Sequence, residues 1–327
     1  FIMNRNDNGV LVVGSVAYDS VTTPAGAVSD VIGGSATYFS LSVSHFSSVS
    51  LVAVVGSDFL QEHLDLFSDK GIETSGLEKI EGDSFRWSGL YSTEDVNERT
   101  TLNTDLNVFS EFSPDLTDIH NSKPYLFLAN IQPHLQLSVL DQMKVRPRMV
   151  ALDTMNFWIE GNLSGLKEAL SKADVVFMDE QEIRSFSAEV NIIKAAQKVM
   201  DIGPSTVVVK RGEHGVLMFQ RDSIFSAPAF PVKKVVDPTG AGDSFAGGFV
   251  GYVAATQDFS QTGFRRAVIL GSVMGSLAVE SFGPDRIVSV GSKDIEKRFN
   301  ILYEMTQFEP LGDGESLPNI SHFEVNS

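Results

Sequence analysis

Residues 237–248 read DPTGAGDSFAGG, and this stretch decides how the rest of the chain is interpreted. A Gly-Ala-Gly turn that opens a helix leaves backbone N–H groups unpaired at the positive end of the helix dipole, which favours anion binding. Asp243, in the first turn of that helix, would repel a phosphate unless it removes a proton from an attacking hydroxyl. An ordinary helix start with an acidic first turn is the simpler alternative. The length of the motif and the Gly247-Gly248 pair favour the anion site.

Short apolar runs alternate with helix-length segments from residue 124 onward. The apolar runs are 125–129, 149–152, 175–178 and 207–209, and the segments between and after them are 134–143, 163–172, 180–186 and 191–201. This alternation predicts an α/β fold with a doubly wound, mostly parallel sheet that has helices on both faces. We expect residues 216–219 to join the sheet in the antiparallel direction, and two further helices over 240–253 and 262–280.

The N-terminal part has a different pattern. Apolar runs at 9–18 and 51–55 predict core strands, and helical spacing after Gly33-Gly34 predicts an amphipathic helix between them. From residue 72 to 109, polar and apolar residues alternate with period two around a turn. This pattern predicts a half-exposed antiparallel hairpin, which we interpret as an insert outside the main sheet.

Composition excludes several classes of function. The 327 residues include 25 basic and 42 acidic side chains, a formal net charge of −17 and no cysteine. Such a charge repels phosphate backbones and anionic membranes, so we expect neither nucleic acid nor a membrane as partner. The absence of cysteine rules out disulfides and thiol catalysis and fits a cytoplasmic location. The histidines lack metal-binding spacing, and neither a GxSxG nor a Walker motif is present.

Two glycine-containing signatures, 237–248 and 33–36 (GGSA), resemble those of the ribokinase-like (PfkB) carbohydrate kinase family. The resemblance extends from Gly14 to about Gly283. It implies an ATP-dependent phosphotransferase with a doubly wound α/β domain and a small β-lid over the sugar. The division expected on this basis is one kinase domain over 9–305, with a lid hairpin at about 72–109, and a C-terminal surface tail over 306–327.

The resemblance also implies roles within the C-terminal signature. Asp243 would be the general base that acts on the acceptor hydroxyl. The backbone amides that would form the anion hole for the transferring phosphoryl group are those of Gly240, Ala241 and Gly242. Asp237 and Thr239 occupy positions that bind a monovalent cation in some members, with the backbone of 280–283 completing the site. K⁺ is therefore an expected cofactor besides ATP and Mg²⁺.

Two segments match the family's nucleotide site less strictly. Residues 179–182 (DEQE) follow a predicted strand where the family usually has Asn-x-x-Glu, so Glu182 would orient the hydration shell of Mg²⁺. Asp179 departs from the usual asparagine. Residues 210–215 (KRGEHG) lie in a predicted turn where relatives contact ATP, and the contacts expected there are Lys210, Gly212 and Gly215. The structural alternatives are an acidic helix start and a plain hairpin turn.

Acceptor contacts are expected in the N-terminal half. Asp19 stands where the family uses an aspartate to accept hydrogen bonds from two sugar hydroxyls. Gly33 and Gly34 would let the acceptor approach the backbone, and Tyr38 replaces the asparagine that many sugar kinases have. Candidate contacts in the lid, of which half should face solvent, are Arg86, Trp87, Asn97, Arg99, Asn103 and Asn107.

Three functions remain open at this point. The main expectation is transfer of the γ-phosphate of ATP to a hydroxyl of a small sugar or sugar acid. The alternative is a nucleoside kinase of the same fold, because Trp87 offers a stacking surface and Tyr38 removes a sugar-type contact. The third is a silent sensor, against which the intact Asp243 argues. Asp153 and Asn156 resemble a family DxxN segment and either line the cleft or cap a turn. The exposed hairpin predicts a homodimer through the lid.

Overall fold

The structure is a computed structural model that describes residues 9–94 and 97–313. The strands it contains are β1 (Val10–Val13), β2 (Ala17–Thr23), β3 (Gly26–Gly33), β4 (Val49–Gly56), β5 (Ile72–Ile80), β6 (Phe85–Tyr91), β7 (Arg99–Asp105), β8 (Tyr125–Leu128), β9 (Met149–Asp153), β10 (Val175–Asp179), β11 (Thr206–Lys210), β12 (Val216–Gln220) and β13 (Ser223–Ala227). Its α-helices are α1 (Ser35–Val43), α2 (Gln61–Asp69), α3 (Pro133–Gln142), α4 (Asn156–Gly161), α5 (Leu163–Leu170), α6 (Glu180–Ser187), α7 (Ile192–Met200), α8 (Ala241–Thr256), α9 (Gln261–Ala278), α10 (Asp285–Ser289) and α11 (Ser292–Thr306).

A nine-stranded sheet forms the centre of the fold, in the order β13-β12-β11-β10-β9-β8-β1-β4-β5. Neighbours from β11 through β5 pair in parallel, whereas β12 and β13 are antiparallel additions. The central strands β1, β8 and β9 are buried along their whole length, as continuous apolar runs predict for a sheet covered on both faces. The predicted doubly wound α/β fold is therefore confirmed.

Side chains alternate along the strands between the two faces of the sheet, and each face has its own hydrophobic core. Val10 and Val12 pack in the cluster that includes α1, α8 and α9, and Leu11 and Val13 pack in the cluster under α3, α5, α6 and α7. Within the first cluster the ring of Phe249 on α8 meets that of Phe177 on β10 edge-on, with centroids 5.3 Å apart. The helix that begins in the signature segment is thus anchored directly against the sheet.

Close packing fixes the position of α8 between α1 and α9. A Cβ added to Gly247 would lie 2.6 Å from the carbonyl oxygen of Phe39, and one added to Gly248 would lie 2.7 Å from that of Leu270. Only glycine fits at both positions, because real Cβ atoms do not come that close to other atoms. The Gly247-Gly248 pair therefore sets where the N-terminus of α8, with Asp243, can stand.

The lid is a second, four-stranded sheet in the order β3-β2-β6-β7. This arrangement corrects the expected lid hairpin at 72–109, because Ile72–Ile80 pairs in parallel with Val49–Gly56 at the edge of the main sheet. Only Ile72 of that strand is buried, so an edge strand has the same alternating pattern as a hairpin strand. The predicted strand over 9–18 is also two strands, because the chain leaves the main sheet after Val13 and enters the lid at Ala17.

The last helix within the described residues is α11, which the sequence patterns did not predict. Residues 307–313 of the predicted surface tail have no regular secondary structure and are exposed. The remainder of that predicted tail, 314–327, lies outside the described residues. Within the described part of the chain, no helix combines the length and hydrophobicity needed to cross a bilayer.

Candidate active site

The predicted functional residues meet at the carboxyl ends of the parallel strands. Asp153 ends β9, Asp179 ends β10 and Lys210 ends β11, and the chain reaches Asp19 in the lid directly after β1. Connections run outward in opposite directions from the neighbours β1 and β8, and such a switch point in an open α/β sheet is where ligands bind. The N-terminus of α8 and the lid close this edge into one cleft.

The turn before α8 has the geometry of an anion site. Gly240 has φ 72°, a left-handed conformation that favours glycine, and a Cβ there would overlap the ring of Tyr38. Of the predicted anion-hole amides, that of Ala241 already donates to the carbonyl oxygen of Pro238 at 3.2 Å. The N–H groups of Gly240 and Gly242 have no backbone acceptor within residues 9–94 and 97–313, so both are available to receive a ligand.

Asp243 lies in the first turn of α8, inside the cleft. Burial raises the pKa of its carboxyl to about 7, and the charge of Asp153 raises it further, whereas Lys210 and Arg99 lower it. A carboxylate whose pKa lies close to physiological pH is suited to accept a proton and to release it again.

Lys210 points inward to the same place. Its Nζ donates to Oδ2 of Asp153 at 2.8 Å, and it lies 2.9 Å from the position that a Cβ on Gly242 would take. Burial opposes the charged form, but Asp153, Glu182 and Asp243 together raise the pKa of Lys210 above its ordinary value. The ammonium group therefore stands beside the anion site as a permanent positive charge.

Asp179 and Glu182 form a capping box at the start of α6. The N–H of Glu182 donates to Asp179 Oδ1 and the N–H of Asp179 donates to Glu182 Oε2, both at 2.7 Å. The structural alternative for this segment is thus realised, and it explains why aspartate suits the position. Burial and the charge of Asp179 raise the pKa of Glu182 to about 8, although Lys210 lowers it. Each carboxyl group keeps an oxygen outside the capping bonds.

The loop 210–215 lies next to the tip of the lid. Gly212 and Gly215 have φ of 53° and 82°, which favour glycine. A Cβ on Gly212 would overlap the side-chain amide of Asn97, so the lid turn touches the predicted nucleotide loop. Arg211 turns away from the cleft and pairs with Glu180 at 2.5 Å.

Asp19 forms the acceptor side of the cleft. It is 4 % exposed, and its Oδ2 accepts a hydrogen bond from the Gly34 N–H at 3.4 Å. Burial raises the pKa of Asp19 to about 7; the Gly34 N–H lowers it, and the charges of Asp237 and Asp243 raise it. A Cβ on Gly33 would overlap the Asp19 carboxylate, so glycine at this position leaves room for the acid.

Tyr38 forms the floor between these two halves. Its ring lies under Gly240, and its hydroxyl is buried without a hydrogen-bond partner among the described residues. Burial raises the pKa of Tyr38, and the charges of Asp19, Asp237 and Asp243 raise it as well. The phenol therefore remains protonated, and its hydroxyl can donate a hydrogen bond to an acidic neighbour or to a bound molecule.

The lid register shows which lid residues face the cleft. Asp19 pairs with Trp87, and Tyr91 pairs with Arg99, so all four share one face. The Tyr91 hydroxyl hydrogen-bonds Thr239 at 3.1 Å, which identifies that face as the one turned to the signature segment. Tyr91 was not among the predicted contacts, although its period-two spacing from Trp87 marks the same face.

Other lid candidates lie elsewhere. Asn103 pairs with Ser88 on the opposite face, and its amide donates to Asp105 at 2.7 Å, so the structure does not bring it to the cleft. Arg86 shares that outer face and is paired with Asp58 at 2.7 Å. The amide of Asn107 donates to the carbonyl oxygen of Ser84. As expected for alternating strands, part of the candidate set faces away from the site.

The predicted cation ligands lie behind the signature turn. Asp237 is 1 % exposed, and its Oδ1 accepts the Thr239 N–H at 2.9 Å. Its Oδ2 is buried without a partner among the residues the structure describes. Burial raises the pKa of Asp237, and the nearby Thr239 and the backbone of Gly283 lower it. A buried carboxylate oxygen without a hydrogen-bond donor among the described residues fits a monovalent cation.

Asp153 and Asn156 have different surroundings. Asp153 lies in the cleft through its pair with Lys210, and its Oδ1 accepts the Thr154 N–H at 2.8 Å. Asn156 begins α4, and its side-chain oxygen is buried without a partner in the described part of the chain. Neither of the two caps a helix through its side chain, which leaves the cleft-lining alternative for Asp153.

This fold and this site define a phosphotransferase that acts on a small hydroxyl-bearing molecule. The chain matches the model of the pfkB family carbohydrate kinases over residues 7–289 and belongs to that family. It is similar to the cytidine kinase of Thermococcus kodakarensis, with 29 % identity over 74 % of this chain and 87 % of the relative.

Solved structures share the fold. The Burkholderia thailandensis nucleoside kinase in complex with inosine has a TM-score of 0.71 and 18 % identity, covering 92 % of this chain and 100 % of that one. The Vibrio cholerae fructokinase with fructose, ADP and calcium has a TM-score of 0.72 and 19 % identity, covering 90 % and 99 %. The expected family and its kinase activity are confirmed.

Proposed function

We propose that this kinase transfers the γ-phosphoryl group of ATP to a hydroxyl of a neutral, polyhydroxylated small molecule, with Asp243 as the general base. The observation that carries this proposal is the position of Asp243 beside the free amide of Gly242, in the same cleft as the buried Asp19. A base next to an anion site is the arrangement that attack of a hydroxyl on phosphorus requires.

The reaction balances on the residues of this chain. Asp243 takes the proton of the acceptor hydroxyl while the acceptor oxygen forms the new bond to the γ-phosphorus. The bond between that phosphorus and the bridging oxygen of ADP breaks, and the negative charge on the transferring group is stabilised by the Gly242 amide at the start of α8. The proton leaves Asp243 afterwards, which its pKa of about 7 permits.

The site residues also fit the expected ions. Asp179 and Glu182 are adjacent carboxylates at the carboxyl end of the sheet, and oxygen is the ligand that Mg²⁺ prefers, mostly through water. Mg²⁺ would supply charge neutralisation of the ATP phosphates there. The buried Asp237 oxygen and Thr239 would hold K⁺, which would fix the turn that carries the anion site.

A neutral acceptor is favoured by the charge of the cleft. Asp19 and Asp243 face it, with Asp237 behind, and Arg99 is the cation that opposes them from the lid. Both acids accept hydrogen bonds, so hydroxyl donors bind well, whereas a carboxylate on the acceptor would be repelled. We therefore place neutral sugars ahead of sugar acids, which the sequence left together.

A nucleoside acceptor is the second candidate, and Trp87 is the observation that favours it. Trp87 is half-buried on the cleft face of the lid and lies opposite Asp19 in the strand register. A base could stack on the indole while the ribose hydroxyls reach Asp19. Among the relatives named above are a cytidine kinase and a nucleoside kinase in complex with inosine.

The test is ADP release from MgATP with a panel of neutral sugars, cyclitols, sugar acids and nucleosides, each with and without K⁺. Asp243→Asn should lower turnover by roughly 10²–10⁴-fold with acceptor binding retained. Asp115→Asn, at an exposed loop position, is the matched control and should have no effect. Ligand binding without turnover in the wild-type protein, unchanged by Asp243→Asn, would identify a sensor and reject the kinase proposal.

Response to the panel also separates the two acceptor classes. Phosphorylation of nucleosides that is lost in Trp87→Ala, with sugars inert throughout, would establish the second candidate. Phosphorylation of a neutral sugar that is unaffected by Trp87→Ala would establish the first. A preference for an anionic sugar acid would refute the charge argument.

The quaternary structure and location remain predictions. All seven residues of β7 are exposed, and β7 is an edge of the lid sheet, which supports pairing with a second copy through the lid. A constant monomer mass in light scattering at all concentrations would contradict this. Use of ATP and the absence of cysteine support a cytoplasmic location.

A further inference from the structure

We infer that Lys210 is a catalytic residue whose ammonium group contacts the phosphoryl group during transfer, and that Asp153 is the positioning residue that holds it there. The inference rests on the proposed phosphoryl transfer and adds a role that differs from general nucleotide contact. It follows from where the lysine side chain goes, which the sequence position in a nucleotide loop does not show.

The Lys210 side chain runs toward the start of α8. Lys210 is the last residue of β11, from which a side chain could extend toward the nucleotide loop or toward solvent. Instead its Nζ crosses the end of β10 to reach Asp153 at the end of β9, at 2.8 Å. The same Nζ stands next to Gly242, 2.9 Å from the position of an added Cβ. The ammonium is therefore at the start of α8, where the anion site lies.

The Lys210 ammonium group has N–H donors to spare. An ammonium group has three N–H donors, and one of them is used by Asp153. No other acceptor bonds Lys210 Nζ within residues 9–94 and 97–313. The lysine side chain is 18 % exposed and that of Asp153 is 5 % exposed, so the free donors face a nearly dry cleft. A phosphoryl oxygen is the acceptor that this position lacks.

Acidic side chains surround the Lys210 ammonium group. The charges of Asp153, Glu182 and Asp243 all act on Lys210, which stands among these acids as a cation. A phosphoryl group in transfer carries negative charge past Asp243, and the carboxylates alone would repel it. Lys210 compensates that repulsion at the place where the charge develops, which is the use of a preorganised cation in catalysis.

Asp153 explains why the cation stays in place. Its second oxygen is fixed by the Thr154 N–H at 2.8 Å, so the carboxylate cannot turn with the lysine. Without that partner, a flexible side chain would lose much of its positional order before the reaction. Asp153 does not touch the phosphoryl group in this account; it acts through Lys210.

The test compares Lys210→Met, Lys210→Arg and the charge-balanced double variant Lys210→Met/Asp153→Asn, with Lys293→Met as the control on the exposed start of α11. The double variant guards against misfolding, because it leaves no unpaired buried carboxylate at position 153. We expect Lys210→Met and the double variant to lower kcat by roughly 10²–10³-fold, with the Kd of ATP and the KM of the acceptor changed by less than about threefold. Lys210→Arg should recover part of the loss.

Chemical rescue provides an independent readout. In Lys210→Ala, ethylammonium added at constant saturating KCl should restore part of kcat in a saturable way, and the bulkier tetramethylammonium should not. A merely structural lysine would not show this. Asp153→Asn alone should lower kcat, leave the acceptor KM unchanged and remain unresponsive to amines, because the lysine is still present.

Several outcomes would overturn the inference. A normal kcat in Lys210→Met, a loss confined to the KM of ATP, or wild-type turnover in the double variant would each show that Lys210 is not at the transferring group. A wild-type protein that transfers phosphate to no acceptor would reject the proposed function itself. Activity in the wild type with an unimpaired Lys210→Met would reject the role of Lys210 alone.

Discussion

Asp19→Asn is expected to stabilise the folded protein while it impairs acceptor binding. The carboxylate of Asp19 is 4 % exposed, and it accepts one long hydrogen bond from the described residues, that of Gly34. Burial raises its pKa from 3.8 to about 7, so ionisation costs free energy that the unfolded chain does not lose. Asparagine keeps the shape and the acceptor oxygen but carries no charge.

The size of the effect follows from the pKa change. The folded state holds the Asp19 proton more tightly than the unfolded state, so stability falls as pH rises from about 4 and the loss is complete above about 7. A difference of about three pKa units is worth about 4 kcal/mol. For 327 residues the unfolding entropy is about 0.7 kcal/mol/K, so Tm should rise by about 6 °C at about pH 8.5.

Thermal melts at two pH values test this reasoning. At about pH 5.5 the penalty amounts to about half of its full value, so the Tm increase of Asp19→Asn should fall to about 3 °C. Asp115→Asn, at an exposed position, should show no such pH-dependent difference. An Asp19→Asn variant that melts below the wild type at the higher pH, or that gains equally at both values, would show that the buried charge is compensated by something other than Gly34.

Three further predictions concern neighbouring groups. Gly33→Ala should displace the Asp19 carboxylate and raise the acceptor KM at least tenfold, with the Kd of ATP unchanged. The control Gly161→Ala, which has open space around the added Cβ, should change neither the acceptor KM in steady-state kinetics nor the Kd of ATP. Asp237→Asn should abolish activation by K⁺, and a K⁺ titration of activity that matches the wild type would contradict it. Tyr91→Phe removes the buried bond from the lid to the signature segment, and limited proteolysis should cut the lid about fivefold faster.

The main sheet was predictable from the sequence because fully apolar strands recur between helices, and burial on both faces leaves them no other composition. The lid boundaries were not. Ile72–Ile80 is an edge strand with one buried residue, and it alternates as a lid strand does. Partners as distant in sequence as Ala17 and Phe85 cannot be read from periodicity, so the start of β2 was assigned to a core strand and β3 was not predicted.

The candidate site was predictable where the chemistry is local. The turn at Gly240 and the acid at Asp243 lie within one helix start, and the structure places them as expected. The inward course of Lys210 and the contact of Tyr91 with the signature segment depend on the distances between separate elements. Side-chain direction across such distances is set by packing, which no single stretch of sequence encodes.

Burial disfavours the ionised forms of Asp19 and Asp243, and the hydroxyl donors of an acceptor would stabilise them. Asp19 stands on the lid and Asp243 on the main domain, and the charges of Asp237 and Asp243 raise the pKa of Asp19. Closing the lid without an acceptor brings these charges together, while acceptor hydroxyls between them would supply the missing donors. Closure is therefore expected to be favoured by the acceptor rather than by ATP alone, which also keeps water away from the γ-phosphoryl group until an acceptor is present. The same burial that tunes Asp243 as a base thus couples its chemistry to the state of the lid.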